Sequence, residues 1–527
     1  MSEIRTYPFN REGIESIRKY KYGRSWPVVY ILEGDKELYV GESISAYARA
    51  KQHLDNEQKR RLNKIHIISD DEYNKSATLD TESSLIEYLV ADNKFTLQNS
   101  NGGLQNHNYF DREKYIGKFE LLWKDLQGER IANKDLLQIR NSDIFKYSPY
   151  KTLTDDQYLI SEEIIARLKR VLGETYLIHG GPGTGKTILA TYLIKRLVEE
   201  GRDNVALVIA MGSLRSTLKK VFKNISGLSA GMVISPSEAT RKKYDVLLVD
   251  EAHRLRKRVN ITNYKSFDDI NNKLGLGQGG TELDWVLRSA NSLILFFDEK
   301  QSVRPSDIHA DKIHALDVVD FTLRTQVRVK GGEDYLDFID SLLEVEKGTE
   351  PNFSDYDFRI YDDLSQMIEE IKAKEEEHKL CRLVAGYAWE WKSRKDKDKP
   401  DIVIGKNKLF WNSVTSNWVN SPNAINEVGC IHTIQGYDLN YAGVIIGPEI
   451  SFNKRKQQIE IDRDRYFDAN GKRSVTNDEE LKRYIINIYK TLLTRGIRGT
   501  YVYIVDPELR DYFHNATTRE KLDSSSS

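Results

Sequence analysis

Residues 175–187 read TYLIHGGPGTGKT. Tyr176, Leu177 and Ile178 form a short apolar run suited to a buried strand, Gly180 to Thr187 fit the spacing GxxxxGK[ST], and the following ILATYLIKRL has helical periodicity. Glycines at 180, 183 and 185 let backbone N–H groups turn toward a polyphosphate. Lys186 can neutralise β and γ phosphates, and the Thr187 hydroxyl can reach Mg²⁺. A ligand-free strand-to-helix turn is the plain alternative; strand, loop and helix in this order favour the phosphate site.

Outward from the loop, the same grammar repeats. DVLLVDEAH (245–253) ends a buried strand in Asp250, placed for the Mg²⁺ shell, and Glu251, placed to orient or deprotonate water. SLILFFDEKQSV (292–303) delivers Asp298 and Gln301, the latter a candidate γ-phosphate sensor. Apolar runs alternating with helical segments predict an α/β fold with doubly wound parallel sheets. A first nucleotide-fold lobe is expected over 151–318. A second set of strands, from FTLRTQVRV through DFRIYDD, CRLVAGY, YAGVIIG and TYVYIVD, predicts a second lobe over 319–515.

In order along the chain, GGPGTGKT, LLVDEAH, FFDEKQSV, LRTQVR, HTIQGYDLNYAGVIIG and LLTRGIRG resemble the successive motifs of superfamily 1 helicases. LVAGYAWEW and EVGCIHTIQGYDLNYAGVIIG bring the resemblance closest to the bacterial branch of Schlafen-like NTPases, over roughly residues 150–510. The resemblance implies two RecA-like P-loop lobes, ATP and Mg²⁺. It further implies that Gln157 of LTDDQ contacts adenine and that Arg328 and Arg495 reach the γ phosphate from the second lobe, with Arg324 and Arg498 as competitors. His432, Gln435 and Gly436 match the segment that couples nucleotide to nucleic acid. An arginine supplied across a cleft makes hydrolysis depend on lobe closure; a surface or sheet-edge salt bridge is the plain alternative. Trp389, Trp391, Trp411 and Trp418 are either stacking platforms for bases or core.

Toward the N-terminus, strands VVYIL and LYVG flank an acidic turn, EGDKE. A helix (SAYARAKQHL), a strand (KIHIIS), a second helix (TLDTESSLIEYLVADN) and a Gly-Asn tail follow, predicting a small α+β domain over 1–110. VVY ending at Tyr30 and YVG ending at Gly41 resemble the signature strands of GIY-YIG nucleases, with Val28 and Val29 replacing Gly and Ile. Arg49 and His53, four residues apart on one helical face, then Glu82 and Asn99 (or Asn101) complete the resemblance. It implies a divalent ion, Mg²⁺ or Mn²⁺, held by Glu82, with a tyrosine (Tyr30 or Tyr39) or a metal-bound water starting attack on phosphorus and Arg49 offsetting transition-state charge. Cross-strand packing of tyrosines beside surface helix residues is the plain alternative.

The remaining sequence bounds these readings. Of 527 residues, 79 are Lys or Arg and 80 Asp or Glu, a net charge of -1, so nucleic acid must be met by local patches. Candidates are RLRKR after the DEAH segment and the loop WKSRKDKDKP, although the latter reads as solvated. Two cysteines, Cys381 and Cys430, exclude a disulfide framework and a multi-cysteine zinc site, and with no apolar leader or membrane span the expected location is cytoplasmic. Residues 111–150 read as a helical connector, and 516–527 as a disordered tail. Together these features predict an ATP-dependent, helicase- or translocase-like enzyme acting on nucleic acid, DNA favoured over RNA, coupled to a metal-dependent endonuclease. The architecture is similar to phage-defence and restriction systems, which makes a second copy or a defence component the expected protein partner. The alternative is an ATP-switched sensor or binding module with a regulated or inactive nuclease domain.

Overall fold

A computed structural model describes residues 2–99, 109–346, 353, 355–415, 417–434, 436–473 and 475–518. Asn101, Gln435 and the tail 519–527 lie outside the described residues. The chain forms two compact units, one made of 1–167, 187–205 and 218–233, the other of 168–186, 206–217 and 234–527. Among the described residues no helix is long and apolar enough to cross a membrane.

The first unit carries a five-stranded sheet of β1 (Glu3–Pro8), β2 (Val28–Gly34), β3 (Glu37–Ser43), β4 (Leu62–Ser69) and β5 (Thr96–Leu97), in the order β1-β4-β2-β3-β5. The expected hairpin is β2–β3, antiparallel, with Tyr30 opposite Gly41. Strand β1 and the helix Arg11–Lys19 were not foreseen; β1 adds to the free edge of β4. The helix Lys75–Asp92 begins where the Asn74 side chain accepts the Ala77 N–H and ends at Asn93, whose φ of 57° is left-handed. Residues 111–150 are more than a connector. The helix Arg112–Gly128 buries Tyr115, Leu122, Trp123 and Leu126, a stripe at helical spacing, and the Trp123 ring lies 5.7 Å from that of Tyr88.

The phosphate loop belongs to a six-stranded sheet of β6 (Thr175–Gly180), β7 (Val205–Ile209), β8 (Val233–Ile234), β9 (Tyr244–Asp250), β10 (Ala290–Phe297) and β11 (Val319–Leu323), in the order β11-β6-β10-β9-β7-β8. Its central strands are buried on both faces, as their unbroken apolar runs require. The parallel register sets Phe297 beside His179 and Leu295 beside Val249. The chain therefore leaves β6, β9 and β10 at one sheet edge, where this class of fold binds ligands. One boundary moves: β11, expected to open the second lobe at residue 319, pairs parallel with β6 and closes the first sheet, because β6 otherwise offers an unpaired edge.

The second lobe holds β12 (Asp357–Tyr361), β13 (Cys381–Ala385), the hairpin β14 (Ile402–Ile404) and β15 (Asn407–Leu409), β16 (Val428–Cys430), β17 (Leu439–Ile446), the hairpin β18 (Ile450–Asn453) and β19 (Gln458–Ile461), and β20 (Gly496–Ile504). Its main sheet is parallel, in the order β12-β20-β17-β13-β16. The last helix runs to Thr518, so residues 516–518, expected in the tail, are helical, and Leu509 and Phe513 anchor this helix in the lobe core. The chain is thus an α/β protein with two RecA-like lobes preceded by a small mixed-sheet domain.

Within this lobe Glu449 is fully buried, accepts a 2.6 Å hydrogen bond from Tyr489 Oη, and lies so close to Gly447 that a Cβ there would stand 2.4 Å from its Oε2. Burial pushes its carboxyl up to about 7 from an ordinary 4.5. Between those values the native state holds a proton that the unfolded chain releases, so stability falls as pH rises through this window, by on the order of 3 kcal/mol once the group ionises. Glu449→Gln keeps the polar contact without the titration. Its unfolding midpoint is expected to exceed the parent's at about pH 8 and to match it at about pH 5; parallel curves for the two proteins would assign the pH dependence elsewhere.

Candidate functional site

At the end of β6 the loop turns through Gly183 (φ 84°) and Gly185 (φ 77°), a left-handed region in which side chains are strained. Gly183 has a second reason: a Cβ there would lie 2.1 Å from Gln326 Oε1. Gln326 Nε2 donates to the Pro182 carbonyl at 2.5 Å, and the Val327 N–H donates to the Gly183 carbonyl at 2.9 Å. The buried Lys186 ammonium donates to the carbonyls of Gly180 (2.6 Å) and Gly181 (2.9 Å), and lies 3.3 Å from Asp298. Gln301 Nε2 donates to the same Asp298 carboxylate at 2.7 Å. The ends of β6 and β10 thereby deliver Lys186, Asp298 and Gln301 to one place, as their parallel register dictates. Thr187 follows in the first turn of the helix Lys186–Glu199.

Asp250 ends β9 fully buried, and its Oδ1 accepts the Glu251 N–H at 3.0 Å. Glu251 itself is left-handed (φ 54°, ψ 50°), a costly backbone for a non-glycine residue that aims its side chain off the strand. Burial acts to raise the Glu251 carboxyl, but His253, whose Nε2 lies 2.8 Å away, together with Lys186 and Arg254 holds it below the usual carboxylate range. Glu251 is therefore ionised at neutral pH. A lysine in a glycine loop, two strand-end carboxylates and a glutamine fit a magnesium nucleotide: Lys186 would neutralise phosphate charge and Asp250 would hold the ion.

Of the second-lobe arginines, Arg328 stands at the loop, its Cβ 2.8 Å from where a Gly183 Cβ would be, and its guanidinium pairs with Asp438 at 2.6 Å. Arg324 lines a cavity of about 300 Å³ together with Gly181, Pro182, Thr184 and Gln301. Arg495 is buried directly after the helix Asp478–Leu493, and its carbonyl accepts the Leu439 N–H. Gln157 is buried in the other compact unit, where its Oε1 accepts the Thr154 N–H at 3.0 Å. Gln326 was missed by sequence reasoning; its place two residues before Arg328 was the available signal.

A second cavity, of about 490 Å³, is lined by Arg256, Arg304, Arg394, Tyr387, Trp391 and His432, among others. Arg304 donates to His432 Nδ1 at 2.7 Å, which leaves the proton on Nε2 to bond Asp468 at 2.9 Å. Burial, then the Arg304 charge, lowers the His432 pKa, so the ring is neutral. Of the four tryptophans, Trp411 and Trp418 are core, at 1% and 0% exposure, because both fill the second lobe; Trp391 alone lines this cavity. The RLRKR run is largely committed to ion pairs, Arg254 with Asp307 (2.9 Å), Arg256 with Glu282 (2.6 Å) and Arg258 with Asp268 (2.5 Å), which corrects its reading as a free phosphate patch.

In the N-terminal domain, Tyr30 Oη and His53 Nε2 are 2.8 Å apart, and Arg49 Nε donates to Tyr30 Oη at 3.3 Å. The Tyr39 ring is 5.1 Å from His53. Gly41 is required by this cluster: a Cβ there would lie 2.3 Å from Tyr30 Oη. Burial, then Arg49 and Lys59, lowers the His53 pKa to about 4, and burial pushes Tyr30 up. Burial and the neighbouring Glu42 carboxylate raise Glu82 to about 7, and its charge also acts on Tyr30. Tyr30, Tyr39, Arg49, His53 and Glu82 thus gather at one site. The Asn99 carboxamide accepts the Val40 N–H (3.0 Å) and donates to the Val40 carbonyl (2.8 Å), clipping the chain after β5 to β3. Among the described residues, no cluster of three or more His, Cys, Asp or Glu side chains could hold a metal.

A relative, an uncharacterized protein of Saccharomyces cerevisiae, is 28% identical over 422 residues, 68% of this chain and 90% of its own. Among solved structures, the Pif1 helicase of Candida albicans covers 69% of this chain at 10% identity and a TM-score of 0.30, with 99% of the helicase matched. The arterivirus nonstructural protein 10 helicase covers 64% at 11% identity and a TM-score of 0.29, and the chain spans 61% of that protein. The phosphate loop, the strand-end carboxylates, the Gln301 turn and the second-lobe arginines all fall within residues 173–506, which match the Schlafen group 3 DNA/RNA helicase domain, and the chain belongs to that family.

Proposed function

We propose that the chain is an ATP-driven helicase or translocase, acting on DNA in preference to RNA, whose N-terminal domain is a metal-dependent endonuclease. The observation that carries the motor reading is one short turn with two ends. Asp298 meets Lys186 at the phosphate loop and accepts from Gln301, while Arg304, three residues further on, bonds His432 beside an arginine- and aromatic-lined cavity. A shift of the turn with nucleotide state would be felt by a strand in that cavity, where arginines suit phosphates and Trp391 a base. For the nuclease, the gathered Tyr30, Tyr39, Arg49, His53 and Glu82 support hydrolysis. Glu82 would hold Mg²⁺ or Mn²⁺ as a Lewis acid, Arg49 would meet developing phosphate charge, and the tyrosines would orient water. The Tyr30 hydroxyl, 2.8 Å from His53 Nε2 and bonded by Arg49, is held in a fixed orientation for that role. A role in defence against foreign nucleic acid fits this pairing of activities.

The test is cleavage of end-labelled single- and double-stranded DNA and RNA with Mg²⁺ or Mn²⁺, with and without ATP, by the parent, Glu82→Gln, Tyr30→Phe and Lys186→Ala. Cleavage is expected to disappear with EDTA and with Glu82→Gln, and to change with ATP only where Lys186 is intact. Because the Glu82 carboxyl sits at about 7 without metal, protons compete with the ion. Cleavage at limiting metal should therefore fall about tenfold per pH unit below that value. Undiminished cleavage by Glu82→Gln would reject the nuclease assignment; ATP-independent cleavage would leave two uncoupled enzymes.

A further inference from the structure

Lys490 lies one turn before the end of the helix Asp478–Leu493, with its side chain largely buried, and belongs to none of the sequence motifs. Its ammonium pairs with Asp340 at 3.1 Å and with Glu344, both on the helix Gly332–Glu344. Lys490 lines the cavity of about 300 Å³ that also holds Gly181, Thr184 and Gln301. It lines equally the adjoining cavity of about 440 Å³ that holds His253, Phe297 and Glu299. It therefore stands where the phosphate-loop side of the cleft meets the DEAH side. Thr494, one helical turn further, shares the first cavity and donates from its hydroxyl to the Lys490 carbonyl at 2.9 Å, fixing the end of the helix that leads into Arg495.

Lys490 is bracketed by two carboxylates, Asp340 and Glu344, which hold its ammonium from both sides. Removing it would leave Asp340 and Glu344 to repel each other and any entering polyphosphate. Conversely, an anion of higher charge within reach can draw the ammonium away, because a flexible four-carbon stem reorients at little cost. Resting on the ATPase reading above, we propose that Lys490 is a second-lobe nucleotide residue, held by Asp340 and Glu344 in the resting state and transferred to the terminal phosphate of a bound triphosphate. The transfer would tie the two second-lobe helices to the state of the phosphate loop.

The test compares the parent with Lys490→Met, Lys490→Arg, Asp340→Asn/Glu344→Gln and the triple variant Lys490→Met/Asp340→Asn/Glu344→Gln. It uses equilibrium binding of ADP and of ADP with beryllium fluoride, followed by turnover of ATP. With Lys490→Met, binding of ADP–beryllium fluoride should weaken by at least about tenfold while that of ADP changes little, and kcat should fall by a similar factor. Lys490→Arg should recover most of the loss. The triple variant should not, although its charge is balanced. Asp340→Asn/Glu344→Gln, which frees the ammonium, should bind ADP–beryllium fluoride more tightly than the parent. If the triple variant binds and turns over like the parent, Lys490 is only a charge partner and the proposal falls alone. If the parent binds neither nucleotide, the proposal falls together with the ATPase reading.

Discussion

Lys186→Ala is expected to lower ATP turnover by at least about 10²- to 10³-fold, the cost of removing a preorganised charge from a phosphoryl-transfer site. It should also lower the melting temperature, for a separate reason. Lys186 and Asp298 are both about 5% exposed and lie 3.3 Å apart, so deleting the ammonium removes the cation beside a buried carboxylate. Breaking one side of such a pair costs about 3–5 kcal/mol, whereas neutralising both sides costs far less. The double variant Lys186→Ala/Asp298→Asn should therefore regain most of the lost melting temperature and none of the lost turnover. Measuring both quantities on the same preparations separates the two effects. A double variant that regains turnover would mean that Lys186 acts on the fold and not on the nucleotide.

Glu251→Gln is expected to reduce phosphate release by about 10²- to 10⁴-fold while leaving nucleotide affinity within a few-fold of the parent, since a general base acts only in the chemical step. The carboxylate is kept ionised by His253, Lys186 and Arg254 against its burial. Titration of Glu251 should thus impose no acid limb on the rate near neutral pH. The backbone at 251 is already left-handed and glutamine keeps the size of the residue, but the exchange removes the negative charge that His253, Lys186 and Arg254 meet, so the melting temperature should fall while nucleotide affinity is kept. Pre-steady-state phosphate release with parallel nucleotide binding checks both parts. Parental release by Glu251→Gln would move the base to another residue.

Much of the motor was legible because its chemistry is local. A glycine loop between a buried strand and a helix, or a strand ending in Asp250 and Glu251, states its geometry within about ten residues of sequence. Parallel pairing then had to bring those strand ends to one edge. The N-terminal cluster was legible in the same way: Tyr30 faces Gly41 across a hairpin, and Arg49 and His53 are one helical turn apart. Sequence was a poorer guide wherever a side chain's partner comes from far along the chain. Asn99 bonds the Val40 backbone across the sheet; of the two readings of Trp411 and Trp418 packing gives core; RLRKR, a candidate phosphate contact, is largely ion-paired.

Sequence by itself determined the phosphate loop, the strands and helices next to it and the identity of the titratable groups, because local spacing and side-chain chemistry encode them. Only the tertiary structure decided that β11 completes the first sheet, that Gln326 closes over Gly183, that Arg304 reaches His432, and that Lys490 is held between Asp340 and Glu344. Each of these contacts joins residues about 100 or more positions apart. Burial and long-range pairing, which fix both the charge of a group and the group it meets, are properties of the packed chain, and no local pattern records them.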